Sequence, residues 1–431
     1  MSNRYAIYAL ALMFGINFLN YADRWVGSAV APLIQAEFSL TDFEVGLLGS
    51  AFTLVYAIGA LPFGLWADRG LRKTVIGTGV AIWSAATLLT GLTTNFLQLF
   101  VTRAILGIGE ASYYPASTSL LADFFPREVR GRAMSIWSSG AVFGIALGFA
   151  GGGILAARYG WRPAFFASAV PGLVLAVLAF RLREPPRGAA EASGPLLRHS
   201  DDASVGNMLR LLRIKTLRNT ILSQTALFFV LGANAYWLPT VLTRRFGMDV
   251  AEAGTLAGGV IVTGGVLGTL TGGWVADWRR RRSPTADLQV SIVGFVAAAA
   301  LISLALIGPQ AWFVPLFLLT VISLYLYMAP FTAIGQNVVV PSLRGSAVTI
   351  TLLIAHLLGD SYAPAAIGLF SDVLGSLQLA LLIVSPALLL LAAGLAALAL
   401  GSIQSDTLEM SRDWVERGVS PTAAAAVPLR H

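Results

Sequence analysis

The chain has 431 residues, 56% hydrophobic and 12% charged, against about 25% charged in an ordinary soluble domain, so lipid rather than water is its main solvent. It has no cysteine, which excludes disulfides, thiol nucleophiles, iron–sulfur clusters and cysteine zinc sites, and its three histidines, His199, His356 and His431, are too scattered for a metal cage. No Gly-rich phosphate loop with a following Lys occurs, so neither a cofactor nor ATP-derived energy is expected, and the net charge of +7 has to be read from where the basic residues fall.

A helix needs about 20 mostly apolar residues to cross the hydrocarbon core. Twelve runs suffice: roughly 6–36, 42–67, 74–94, 97–122, 132–157, 162–182, 219–243, 252–276, 288–308, 311–339, 346–371 and 376–401. The first run lacks a small-residue cleavage site after a short apolar core and continues past Asp23, so it is expected to stay on the chain. It carries Asn20-Tyr21-Ala22-Asp23-Arg24. The second opens on Thr41-Asp42-Phe43-Glu44, a capping box, and closes on Gly64-Leu65-Trp66-Ala67-Asp68-Arg69, followed by Arg72 and Lys73. The fourth holds Arg103, then Gly107-Ile108-Gly109-Glu110-Ala111-Ser112 and Tyr114, with Asp123 at its end. Pro126 precedes the fifth, which carries Gly140, Gly144, Gly148, Gly151, Gly152 and Gly153; a spacing of four places several on one face and allows close helix contact.

A linker, 183–218, follows, with Pro185, Pro186, Pro195 and the acidic pair Asp201 and Asp202. Its last part, Ser204 to Arg218, mixes apolar residues with Arg210, Arg213, Lys215 and Arg218, a pattern for a helix on the anionic inner leaflet or for a solvated basic loop. The seventh run includes Ala233-Asn234-Ala235-Tyr236-Trp237, and the eighth closes on Gly273-Trp274-Val275-Ala276-Asp277-Trp278 before Arg279 to Arg282. Pro341 precedes the eleventh, which contains His356-Leu357-Leu358-Gly359-Asp360 and Pro364. Pro62, Pro115, Pro171, Pro315, Pro330, Pro364 and Pro386 lie within runs, where each frees a carbonyl and permits a kink. From 403 to 431 runs a polar, Ala-rich tail.

Two passages repeat. Gly64 to Arg69 returns at Gly273, an offset of 209, and Pro126 to Ala133 returns at Pro341 to Ala347, about 214 residues on. Both copies bound runs long enough to span a bilayer, the internal repeat of a transporter. The domains expected are a six-helix bundle over 1–182, the linker over 183–218, a second six-helix bundle over 219–402 and the tail. Only Arg158, Arg162, Arg244 and Arg245 fall on one side and Arg24 and Arg103 within spans; every other Lys and Arg lies on the opposite side, so both termini are expected in the cytoplasm. This explains the basic excess without nucleic acid. The expected location is a cell membrane, such as a bacterial inner membrane, with lipids as neighbours and a monomer as the working unit.

Gly64 to Lys73, with its Gly, three residues, Asp-Arg, Gly and basic residues, resembles the loop signature of the major facilitator superfamily, departing from it at Leu71, where a second Gly is usual. The resemblance covers nearly the whole chain and implies an all-α membrane protein of twelve transmembrane helices in two pseudo-symmetric bundles. It implies that Asp68 sits by the start of helix 11 near Gly345, that Arg72 reaches Asp123, and that Asp277 mirrors this against helix 5 near Gly131. Gly64, Asp68, Arg69, Arg72, Asp123 and Asp277 would then latch the cytoplasmic side when the protein faces outward, or act as structural glue. The passages 20–24, 103–112 and 356–364 look like the Spinster branch of lysolipid and sphingolipid transporters, although Tyr362-Ala363-Pro364 departs from the expected Ser-Pro. The Gly residues of helix 5 resemble the superfamily's antiporter signature without its Gly-Pro, so antiport does not follow.

Asp23, Arg24, Arg103, Glu110, His356 and Asp360 fall inside spans, where an unpaired charge costs about 2.5 to 3.5 kcal/mol on insertion scales. Neighbours on a helix point about 100° apart, so Asp23 and Arg24 cannot pair well. Glu110 is the candidate partner for Arg24, either as a proton-linked switch with Asp23 or as a permanent packing bridge. Arg103, two turns before Glu110, could hold a headgroup anion or tether a carbonyl. His356 and Asp360, four apart, could form a second titrating pair or a packing contact. The repeat offset puts Val321 where Glu110 stands and Asn234 where Asp23 stands, so charge is concentrated in the first half and the opposite wall is aromatic. The expected substrate site is Arg24, Arg103, Glu110, Tyr114, Asn234, Tyr236, Trp237, His356 and Asp360, serving proton-coupled transport of a lysophospholipid or sphingoid amphiphile. The alternative is a facilitator for a small organic anion or hydrophobic drug. A membrane enzyme is disfavoured because no nucleophile with an adjacent base is legible.

Overall fold

Apolar runs without strand-like alternation demand helices, and helices are what they form. The computed structural model describes residues 3–190, 209–340 and 343–416, and no β-strand occurs among them. The first half comprises α1 (Asn3–Ala29), α2 (Ala31–Phe38), α3 (Asp42–Arg69), α4 (Arg72–Thr90), α5 (Phe96–Ala111), α6 (Tyr113–Phe124), α7 (Arg127–Tyr159) and α8 (Trp161–Phe180). The second comprises α9 (Lys215–Phe246), α10 (Val250–Arg280), α11 (Ala286–Ile307), α12 (Gln310–Tyr325), α13 (Met328–Asn337), α14 (Arg344–Ala355), a π turn (His356–Asp360), α15 (Ala363–Leu374), α16 (Leu377–Leu400) and α17 (Ile403–Glu416).

Among the described residues, ten helices, interrupted ones counted once, are long and apolar enough to cross a membrane. The other two predicted spans are helical but less apolar. The third is α4, whose Thr and Ser residues dilute it; the fourth is α5 with α6, interrupted at Ser112 and carrying Arg103 and Glu110. The first predicted span, drawn as one run to 36, breaks at Val30, and Pro32 stands in the first turn of α2.

Three further breaks share a cause. A proline ring clashes with the carbonyl four residues earlier, which is Ala111 for Pro115, Leu326 for Pro330 and Asp360 for Pro364. The chain is interrupted at Ser112, at Leu326–Tyr327 and through the π turn before Ala363. Pro115 and Pro330 are 215 residues apart, which is the repeat again. Pro62, Pro171, Pro315 and Pro386 stay inside continuous helices, so proline alone does not decide a break.

The predicted linker helix falls partly outside the described residues, as do Asp201, Asp202, Pro341 and the tail beyond 416. Its described part is not one helix to Arg218: a turn at 212–214 separates a helical stretch at 209–211 from α9.

The chain divides into two compact units that cut across the repeat. The first joins Met1–Pro195 to Leu231–Val262 and Asp360–Ile383. Its core holds Met13, Ile16, Ile76, Trp83, Leu106 and Tyr113. Within it α7 lies against α1 through glycines: a Cβ at Gly140 would stand 2.9 Å from the Phe14 carbonyl, one at Gly148 2.6 Å from the Ala22 carbonyl, and Gly144 meets Phe18 in the same way. Only residues without a side chain permit that approach. The second unit joins Leu196–Val230, Thr263–Gly359 and Val384–His431. Phe295, Tyr327 and Phe331 pack edge to face or tilted at its centre, and Ser223 donates to the Ala392 carbonyl at 2.7 Å.

Candidate functional site

The packing of α1 on α7 fixes the middle of α1, and with it Asp23 and Arg24. Their divergence around the helix sends Arg24 to α5, where its Nε and Nη2 donate to Glu110 Oε2 at 3.3 and 2.9 Å. The guanidinium is boxed by the rings of Tyr21, Phe52 and Tyr56, each 4.9 to 5.0 Å from its carbon, an arrangement in which aromatic faces stabilise a desolvated cation. Glu110 is wholly shielded, whereas 20% of the Arg24 side chain remains exposed. Asp23 is also fully buried, and Thr87 Oγ1 lies 3.5 Å from its Oδ2. Asp23 Oδ1 and Glu110 Oε1 have no hydrogen-bond partner among the described residues. Each carboxylate thus presents one oxygen that nothing described satisfies, a costly arrangement for a buried charge and a ready place for a proton.

Arg103, 4% exposed, lies two turns along α5 from Glu110. Its Nη2 is 3.5 Å from the Arg24 carbonyl, and Nη1 has no partner among the described residues. It occupies a slot opened by Gly27, where a Cβ would come within 2.5 Å of Nη2. Arg24 and Arg103 flank the same ring, Phe52. Of these four charged residues, Asp23, Arg103 and Glu110 are buried and Arg24 partly so, and the pair brought into contact is Arg24–Glu110.

Of the remaining predicted substrate residues, Tyr236 lines a small void together with Arg103. Tyr236 is buried, seated over Gly49, and its hydroxyl donates to the Val45 carbonyl at 2.6 Å. Trp237 is buried with its indole N–H on the Pro364 carbonyl at 3.0 Å, and Asn234 is buried beside them in sequence. Tyr114 is exposed, its ring 5.4 Å from that of Trp137. His356, in the second unit, meets Phe228 edge-on at 5.0 Å. Asp360, at the end of the π turn and in the first unit, packs against Gly232.

At the Asp68 end of α3, Arg72 is buried and contacts Asp123, as the loop signature implies. It also donates to Glu184 at 2.8 Å and to the Ser119 carbonyl at 3.1 Å. Glu184 additionally accepts the backbone N–H groups of Arg72 and Lys73 at 3.2 and 3.1 Å. It thereby caps α4, whose N-cap residue, Leu71, has no side-chain acceptor to offer. The sequence reading missed Glu184; the signal was a lone acid among Arg181, Arg183 and Arg187. Arg69 is exposed, the side chain of Asp68 lies outside the described residues, and Asp277 accepts from Arg280 at 2.8 Å. A Cβ at Gly64, Gly131 or Gly345 would meet no described atom within 4 Å.

A second cluster that the sequence reading missed closes the Thr41 end of α3. The capping box forms, with Thr41 and Glu44 exchanging hydrogen bonds. Asp372 of α15 accepts the N–H groups of Asp42 and Phe43 at 3.0 and 2.9 Å. The Asp42 carboxylate takes Gln35 at 2.7 Å, Arg244 Nη1 at 2.8 Å and Ser371. Its signal was Arg244 itself, a cation on the side that carries few. Arg162, another such exception, forks onto Glu37, with Nη1 at 2.9 Å and Nη2 at 2.7 Å.

Residues 13–364 match the model of the Major Facilitator Superfamily. The chain is 32% identical to protein spinster homolog 1 of Xenopus laevis, over 86% of this chain and 74% of that protein. It is 31% identical to the human spinster homolog 1, over 84% and 72%. In fold it is similar to a bacterial homolog of the human lysosomal transporter Spinster solved in an inward-facing and occupied conformation, with TM-score 0.84, 24% identity and coverage of 94% of this chain and 99% of that one. The chain belongs to the major facilitator superfamily and, within it, to the Spinster family, and is a multi-pass membrane transporter of small molecules rather than an enzyme.

Proposed function

We propose that the chain is a proton-coupled secondary transporter of a lysophospholipid or sphingoid-type amphiphile, working by alternating access between its six-helix bundles, 1–182 and 219–402. The observation that carries this reading is the buried Arg24–Glu110 pair, in which Glu110 keeps an unsatisfied oxygen and Arg24 a partly open face. Burial favours the neutral acid and a nearby Arg the charged one, so the contact itself sets when Glu110 binds a proton. A proton on Glu110 weakens its hold on Arg24, whose guanidinium then takes the anionic part of a headgroup. Loss of that proton draws Arg24 back and releases the substrate. Asp23, one residue away with a second unsatisfied oxygen, is the other proton acceptor.

Arg103, Tyr114, Asn234, Tyr236, Trp237, His356 and Asp360 complete the proposed substrate path. Gly64, Asp68, Arg69, Arg72, Asp123 and Asp277 form the proposed gate. The distribution of basic residues supports a cytoplasmic side for both termini, the linker over 183–218 and the tail from 403, at a cell membrane, and the proposed working unit is a monomer.

The test is proton flux in proteoliposomes. Lysophospholipid or a phosphorylated sphingoid base added to wild type should start proton movement that Arg24→Ala abolishes. Saturable uptake of a water-soluble organic acid without a response to lysolipid would overturn the substrate reading. Lysolipid transport indifferent to a pH gradient would overturn the coupling.

A further inference from the structure

In the second unit, α9 begins, α13 ends and α16 ends close together, so three predicted spans reach a membrane–water boundary at one place. A cleft of about 710 Å³ lies there. One wall is cationic: Arg213, Lys215 and Arg218, all exposed. None of the three side chains makes a hydrogen bond or ion pair among the described residues. The other wall is apolar, from Val339, Val340 and Leu343 to Leu398.

Two acids also line the cleft, Asp406 and Glu409 of α17. Asp406 is engaged: its Oδ2 accepts the Thr216 N–H at 2.7 Å, and Ser402 shares a hydrogen bond with the Thr216 hydroxyl at 2.8 Å. α17 therefore caps the start of α9 with its own carboxylate, and among the described residues the three cations of the cleft face one engaged acid, Asp406, and one open acid, Glu409. Cations gathered where spans meet water, beside an apolar wall, fit a phosphodiester headgroup with acyl chains running away from it.

We propose that this cleft binds an anionic phospholipid at the boundary rich in basic residues, apart from the transport path, and that the bound lipid braces α17 against α9. The site shares no residue with the Arg24–Glu110 cluster, so the inference stands or falls independently of the substrate.

The experiment uses the full chain in phosphatidylcholine nanodiscs with and without phosphatidylglycerol, read by thermal melting and by lipid retention in native mass spectrometry. Wild type should retain phosphatidylglycerol and melt higher with it. The triple variant Arg213→Gln/Lys215→Gln/Arg218→Gln should lose that response while melting normally in phosphatidylcholine, with retention falling about five-fold for each cation neutralised. Should the triple variant not fold, Arg213→Gln alone gives the comparison at about five-fold. Arg279→Gln/Arg281→Gln/Arg282→Gln, which removes cations of another loop, should keep the response. An equal loss in that control, an equal response to inorganic phosphate, or an unchanged response in the triple variant would each overturn the proposal.

Discussion

Breaking one side of a buried ion pair leaves the other charge uncompensated, a cost of roughly 3 to 5 kcal/mol. Arg24→Ala should therefore destabilise the protein strongly, and Glu110→Gln added to it should restore much of the loss; thermal melting of the two singles and the double measures this coupling. Glu110→Gln alone should flatten the pH dependence of transport while the protein stays folded. Arg24→Lys should keep part of the activity, because an ammonium cannot reproduce the paired Nε and Nη2 contacts. At the Thr41 end, Glu37 lies outside the spans, and the hydrogen bonds from Arg162 and then Trp161 hold its carboxyl below its ordinary value against a smaller opposing effect of burial. A depressed acid stabilises the folded state above its unfolded pKa, about 4.3, and that stability is lost as pH falls through the lower folded value. Glu37→Gln should thus lower the melting temperature at neutral pH, with the difference shrinking in strong acid. The Arg24–Glu110 contact was legible because burial cost demands a partner and helix geometry excludes Asp23. Asp372 was not, since its role depends on two helix ends some 330 residues apart meeting in register.

At the scale of the helix, the glycines of α7 divide into two kinds that the sequence presents identically. Gly140, Gly144 and Gly148 are filled by the backbone of α1, whereas Gly131 faces open space. Gly148→Val should cost roughly 1 to 3 kcal/mol by overpacking, and because its neighbour Ala22 adjoins Asp23, transport should fall with it. Gly131→Ala should instead stabilise this state by about 0.5 to 1 kcal/mol, the ordinary gain of removing a helical glycine. The same variant should slow transport if the gate closes on Gly131 during the cycle. Melting temperature and transport rate measured together decide the matter, and a stabilised variant with full transport would remove Gly131 from the gate. Helix number and repeat were readable from apolar length and the two copied loops. Which prolines break a helix was not, because Pro115 and Pro330 interrupt theirs while Pro171 and Pro315 do not, and the difference lies in packing that local sequence does not encode.

For the molecule as a whole, the first unit matters most, because helices of both repeat halves meet in it. α15 caps α3 through Asp372, Arg244 and Ser371 hold Asp42, Ser28 donates to the Tyr236 carbonyl at 2.6 Å, and Tyr236 fills the notch at Gly49. Alternating access requires each repeat half to part from the other at one end and then at the opposite end. On the mechanism proposed above, these contacts are what must break for the Thr41 end to open. Beside Tyr236 lies a small void lined by Gly27, Ala31, Leu48 and Arg103, which these contacts are expected to seal from the Thr41 end. The absence of cysteine from the chain makes the seal measurable, because a single introduced thiol is the only one to label. In an otherwise wild-type background, Leu48→Cys should react slowly with a membrane-impermeant maleimide. Adding Asp42→Asn weakens the charge-assisted bond to Arg244, and labelling should accelerate several-fold. Adding Arg244→Gln to that should accelerate it little further, since the two residues act through one contact. Labelling as slow in the Asp42→Asn protein as in the parent would mean that the apolar seating of Tyr236 over Gly49 closes this end by itself.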